Sequence, residues 1–242
     1  VPTWEDQPES RAAGFGLPRL SSVVKALLLA NIAVFVVQYV ILYSWFDAAF
    51  LFMREAFALN PLQWQEGFPL VPVWQLVSYG FLHGGPEHLL TNMLFLYFLG
   101  TMLEQEVGGR RFLIFYLLAV AVAGACQLGL GLALGQTAPI VGASGGVLAI
   151  VCAMATLRPT LRLIFIIVPV TLRTLALIYL SLEVFRAIMQ LKGEDSGVAS
   201  FAHLSGALFG FVAVRQNWIW KDPLAEVEVW CEKREEARAK DD

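Results

Sequence analysis

The stretch FLIFYLLAVAVAGACQLGLGLALGQTAPIVGASGGVLAIVCAMATL, residues 112–157, runs for 46 residues without one charged side chain. A hydrocarbon core about 30 Å thick takes roughly 20 helical residues per crossing, so a run of this length holds two membrane helices. They are expected at about 111–134 and 144–157. The pattern repeats on either side. Lys25 is the only charge between Leu20 and Tyr43, and none falls between His88 and Leu103. Further spans follow at about 22–43, 87–104, 170–190 and 198–216, which makes six. Composition agrees, since 57% of the 242 residues are hydrophobic and only 15% are charged, and the mean hydropathy is +0.64. A soluble domain carries about a quarter charged residues. The second and fourth spans are short, which is tolerated where protein and water flank a helix and so hints at a cavity. The expected fold is an all-α polytopic membrane protein.

Residues 44–85 separate the first two spans and are rich in Trp and Phe, yet Pro, Gly and charge break them too often for a crossing. Such a segment suits a structured loop lying in the membrane interface. LRLIFIIVP, residues 161–169, stops at Pro169 and reads as a connector after span four. Basic residues give the orientation. Arg11, Arg19 and Lys25 lie at the start of span one, Arg110 and Arg111 join spans two and three, Arg158, Arg162 and Arg173 join spans four and five, and Arg215 and Lys221 follow span six. The opposite side holds Arg54, Arg186 and Lys192, so the excess of positive charge places both termini in the cytoplasm.

Several classes are excluded. The basic residues sit beside apolar runs and form no patch interleaved with aromatics, which argues against nucleic acid as a partner. Cys126, Cys152 and Cys231 suggest neither a disulfide framework nor a zinc site. VPTWEDQPESRAAGFGLP, residues 1–18, lacks the basic, apolar and small-residue regions of a signal peptide, so the first apolar run is expected to remain as an anchor. EVEVWCEKREEARAKDD, residues 226–242, reads as a short cytoplasmic helix with a solvated, mixed-charge surface.

Polar groups from three spans fall at one depth. Ser144 opens span four within GASGG, residues 142–146; His203 lies one turn into span six within AHLSGALFG, residues 202–210; His88 and Asn92 begin span two within HGGPEHLLTN, residues 83–92. Any one has a bland reading, a hydroxyl bonded to its own backbone or a bracing imidazole, but ionisable groups are costly in lipid and are retained for function. Together they suit nucleophilic catalysis, with His203 taking the proton of Ser144. No Asp or Glu lies inside spans two, four or six at that depth, so a Ser144–His203 dyad is expected, with Asp195 the one remote candidate for a third member. Asn92, His88 and the backbone N–H of Ser144 are expected to stabilise the oxyanion, the last because helix-start amides lack internal acceptors. His83 is read as fixing the loop to the helix start. Gly206 and Gly210 form a GxxxG face for close helix contact. GASGG also fits the nucleophile elbow of soluble α/β hydrolases, but that turn follows a buried strand, and helical runs surround it here.

These motifs together resemble the rhomboid family of intramembrane serine proteases. The likeness covers roughly residues 22–216 and includes LLLANIAVFVVQ at 27–38, HLLTN at 88–92, GASG at 142–145 and AHLSGALFG. It implies a six-transmembrane-helix bundle with a long, partly membrane-embedded first loop and a water-filled site open to the outside. By resemblance Ser144 is the nucleophile, His203 the general base, and His88 and Asn92 lie on the oxyanion side. Two positions depart from the family's habit. Trp74 is followed by Gln75 where arginine is common, so the loop anchor must be weakened or differently made, and Leu148 stands where an aromatic often packs on the base. Glu104 is expected to brace the second connection with Arg110 or Arg111.

The chain is therefore expected to comprise a cytoplasmic segment at 1–21, a protease domain at 22–216 and a charged cytoplasmic tail at 217–242. Its expected activity is serine-type endopeptidase cleavage in or beside transmembrane segments of membrane-protein substrates in the lipid bilayer. Neither metal nor organic cofactor is implied, and the expected location is a prokaryotic plasma membrane. The alternatives are an inactive, client-binding member of the same fold, which should lack the nucleophile or the base, and a transporter, which the absence of a charged inward path disfavours.

Overall fold

Helix α1, Ser22–Phe35, continues through wider π-type turns over Val36–Tyr43, so the first apolar run forms one 22-residue helix. The computed structural model describes residues 19–165, 168–192, 199–222 and 225. Most of the expected terminal segments, Asp195 and Cys231 lie outside the described residues.

The loop that follows is folded. It carries α2 (Asp47–Phe57), α3 (Pro61–Glu66) and α4 (Gln75–Ser78). Asn60 starts α3 by accepting the N–H of Leu62, and Pro61 occupies the first helical position, where a missing N–H costs nothing. Phe68 and Leu70 are 80% and 90% exposed, as suits side chains presented to a membrane interface. Gln75 makes the loop anchor differently. Fully buried, its Oε1 accepts the Asn60 N–H and the Trp64 indole N–H, while its Nε2 donates to the Glu55 carbonyl and to Gln63 Oε1. A neutral amide, which both donates and accepts, thereby satisfies groups from both sides of the loop.

The run expected as the second span forms α5 (Pro86–Phe95), wider turns over Leu96–Gly100, and α6 (Thr101–Val107). Next comes α7 (Gly109–Ala133), then α8 (Ser144–Leu157), α9 (Leu172–Leu191) and α10 (Ser200–Arg215). Ser22–Tyr43, α7 and α9 are long and apolar enough to cross a membrane by length and composition. Helix α8 has only 14 residues, but every residue from Gly145 to Met154 is buried. Surrounded by helices on all sides, it is apolar all round. The connector after α8 contains two paired antiparallel strands, β1 (Arg162–Phe165) and β2 (Val168–Thr171), with Arg162 opposite Thr171. It delays the start of α9 to Leu172, where the Thr171 hydroxyl accepts the Thr174 N–H.

Glu104 corrects another expectation. Its carboxylate accepts from the hydroxyls of Ser21 and Ser22 and from the backbone N–H groups of Val23 and Val24. It therefore caps the start of α1, where orphan amides and the helix dipole favour negative charge. Arg110 instead faces Asp222 at 3.3 Å.

Candidate active site

Ser144 owes its position to the loop before α8. Leu59 and Ile140 exchange two backbone hydrogen bonds, 3.1 and 2.9 Å long, which tie that loop to the folded segment between α1 and α5. Two residues on, the Gly142 N–H donates to the Tyr79 carbonyl at 2.9 Å, while the Tyr79 hydroxyl donates to the Val120 carbonyl of α7. Gly142 has φ +131°, and a Cβ there would lie 2.6 Å from the His88 ring, so glycine is required by backbone and by space. The hydroxyl of Ser144 thus begins α8 against two fixed neighbours.

His203 comes to it from α10. Gly206 packs so closely on Gly145 that an added Cβ would sit 2.1 Å from the Gly145 carbonyl oxygen, and Gly210 meets Ala149 in the same way. Close backbone approach is what small residues permit in membrane helices. With the helices at this distance, His203 Nε2 lies 2.6 Å from Ser144 Oγ. Gln127 of α7 helps hold the start of α10 by accepting the Ala202 N–H at 3.1 Å.

On the other side of the imidazole stands a residue absent from the sequence reading. Glu183 of α9 is fully buried, and its Oε2 is 2.9 Å from His203 Nδ1. The contact is an ion-pair distance set off the N–H axis of the ring. The second carboxylate oxygen lies 2.7 Å from Arg186 Nη1. Glu183 lies on α9, in none of the spans that carry the motifs. Its signal is a lone acidic residue in the middle of an apolar helix, three positions before Arg186.

His88 and Asn92 line the same cavity as Ser144 and His203, a space of about 1050 Å³. The Gly84 N–H donates to His88 Nδ1 at 3.3 Å, which assigns the ring proton to Nε2, the nitrogen beside Gly142. One N–H of Asn92 is spent on the His88 carbonyl at 2.9 Å, and its amide carries a second. His83 is placed elsewhere. Its backbone exchanges hydrogen bonds with the Gln38 side chain of the first span, 3.1 and 3.3 Å, and its ring is buried edge-on to His88. Burial first, and then the neighbouring His88, push its pKa down to about 4, so the ring is neutral. The cavity walls add Gln127, Gln136, Gln190 and Glu87, polar groups able to hold water. A smaller cleft lined by Phe95 of α5 and Leu175 and Tyr179 of α9 also reaches Ser144. Leu148 borders it, buried and aliphatic. Among the described residues no group of three or more His, Cys, Asp or Glu is placed to hold a metal ion.

Such a hydroxyl, base and set of donors around one space is suited to acyl transfer. Residues 72–216 match the family model described as Rhomboid domain. The chain is 30% identical over 227 residues to RHOMBOID-like protein 4 of Arabidopsis thaliana, covering 82% of this chain and 54% of that protein. It is 30% identical over 161 residues to the presenilin-associated rhomboid-like protein, mitochondrial, of Rattus norvegicus, covering 64% of this chain and 41% of that one. Over 81 residues it is 40% identical to Rhomboid-related protein 3 of Homo sapiens. The chain thus spans about half, or less, of the length of these relatives. Mitochondrial and plant proteins among them give no support to the expectation of a prokaryotic plasma membrane.

Proposed function

The chain belongs to the rhomboid family, and from that premise we propose that it is an intramembrane serine endopeptidase that cleaves membrane-protein substrates in or beside a transmembrane segment. The observation that carries the reading is the 2.6 Å approach of His203 Nε2 to Ser144 Oγ, made by residues 59 apart in sequence on different helices. A structural serine needs no imidazole partner, and an imidazole at this distance is in reach of its proton.

In this mechanism a substrate segment enters along the cleft between α5 and α9 and unwinds locally. Unwinding is required because a helix keeps its carbonyls in internal hydrogen bonds. Ser144 Oγ attacks the exposed carbonyl carbon as its proton passes to His203 Nε2. The oxyanion faces the N–H of Ser144 at the start of α8, the Nε2–H of His88 and the free N–H of Asn92. Collapse breaks the C–N bond, and His203 returns the proton to the leaving amine. A water from the polar cavity then repeats the sequence on the acyl-enzyme. All six apolar helical segments cross the membrane in this reading, with the basic connections and both termini on the cytoplasmic side. Residues 22–216 form the protease domain.

Labelling of the purified chain with a fluorophosphonate serine probe tests the proposal, with an active rhomboid alongside. The parent should label, and Ser144→Ala and His203→Ala should not. An unlabelled parent with an intact melting transition would sink the protease reading in favour of a client-binding role.

A further inference from the structure

We infer that Glu183 is a positioning residue for His203, so that the reaction runs on Ser144, His203 and Glu183 with the carboxylate supplied by α9. The inference rests on the protease reading and extends it. Helix α9 turns a long apolar face outward, with Leu177, Ile178, Leu182 and Phe185 all exposed. Its inward stripe is Leu172, Ala176, Tyr179, Glu183 and Ala187, spaced as one helix face. At that inward position an apolar residue is the cheap choice, because a charge removed from water is costly unless partners compensate it. Glu183 has two partners. Arg186, whose side chain is 42% exposed at the cavity, holds Oε1 at 2.7 Å, and Oε2 lies 2.9 Å from His203 Nδ1, off the ring's N–H axis.

Consequences for the imidazole follow directly. A carboxylate at Nδ1 favours the tautomer with its proton there, which leaves the Nε2 lone pair free for the Ser144 hydroxyl at 2.6 Å. During acylation the proton of Ser144 moves to Nε2 as Oγ bonds the carbonyl carbon. Nδ1 keeps its own proton, and Glu183 stays ionised opposite the imidazolium. The proton on Nε2 then leaves with the amine as the C–N bond breaks, so the carboxylate neither gains nor loses one. A purely structural role, an ion pair with Arg186 that steadies α9, asks nothing of Nδ1.

Cleavage of a transmembrane substrate in proteoliposomes separates the two, measured for the parent, Glu183→Gln and Glu183→Asp beside their melting temperatures and probe labelling. The expected result for Glu183→Gln is a loss of kcat on the order of 10²- to 10⁴-fold with KM and melting temperature near parental values. Glu183→Asp should recover at least part of that loss. A Glu183→Gln variant with kcat within about threefold of the parent overturns the assignment. So does one that melts far below the parent, which marks a structural carboxylate. In either case a parent that still labels at Ser144 leaves the protease reading intact, whereas an unlabelled parent removes both.

Discussion

Replacing Gly206 by alanine tests the geometry that makes the site. The new Cβ would lie 2.1 Å from the Gly145 carbonyl oxygen, 2.8 Å from its carbonyl carbon and 3.1 Å from its Cα, all backbone atoms that no rotamer change can move aside. Ordinary contact begins near 3.4 Å, so α8 and α10 must part by about 1.3 Å along this line. Ser144 adjoins Gly145, and His203 lies one turn before Gly206, so the wedge acts beside the reacting pair. Full transmission would lengthen the 2.6 Å Ser144–His203 contact to about 3.9 Å, beyond hydrogen-bond reach. Misplacement by about 1 Å costs on the order of 100-fold in rate, and overpacking costs about 1–3 kcal/mol of stability. Gly210→Ala is the comparison, because its Cβ would meet the Ala149 carbonyl oxygen at the same 2.1 Å but one turn farther from the pair. Rates of fluorophosphonate labelling and melting temperatures in one detergent should show both variants destabilised alike, with Gly206→Ala the slower to label. Parent-like labelling and melting in Gly206→Ala would refute the reasoning, since it would mean the two helices are free to separate without cost.

Gln75→Leu keeps the volume but strands the Asn60 and Trp64 N–H groups and the Glu55 carbonyl. A loss of roughly 2–5 kcal/mol is expected, seen as a lower melting temperature and faster proteolysis within residues 55–75, and unchanged protease resistance would show that the amide is not the anchor. His83 has its pKa lowered to about 4 from 6.5, so the unfolded chain binds the proton first and stability falls as pH drops from about 6.5 toward 4, by up to about 3 kcal/mol. His83→Phe, which leaves the backbone contacts to Gln38 in place, should flatten that part of the melting-temperature profile, and an unaltered slope would assign the acid sensitivity to another group.

How much of this was legible in the chain depends on the range of the physics. Absence of charge over 112–157 is a local property, and lipid permits only internally hydrogen-bonded segments, so the helices could be placed to within a few residues. Ser144, His203, His88 and Asn92 stood out for the same reason, as polar groups where polarity is expensive. The pairing of β1 with β2 inside the expected connector is not legible along the chain, because a short apolar run before a proline carries no helix or strand period of its own. Glu104 was assigned to nearby arginines because they are close in sequence, yet its partners lie some 80 residues away at the start of α1. Gln75 looked like a loss because one side chain was read without the groups around it. Glu183 shows the limit most clearly. Nothing in its neighbours along α9 points to His203, and whether it meets the imidazole or lipid is set by the rotation of α9. The all-α polytopic class and the candidate nucleophile and base follow from composition and from the cost of burying polar atoms, which act along the chain without reference to its packing. Which carboxylate faces Nδ1 of His203 depends on how α9 is rotated against α10, and which hydroxyl Nε2 reaches depends on the close contact of Gly206 with Gly145, both of them packing relations between segments distant in the chain.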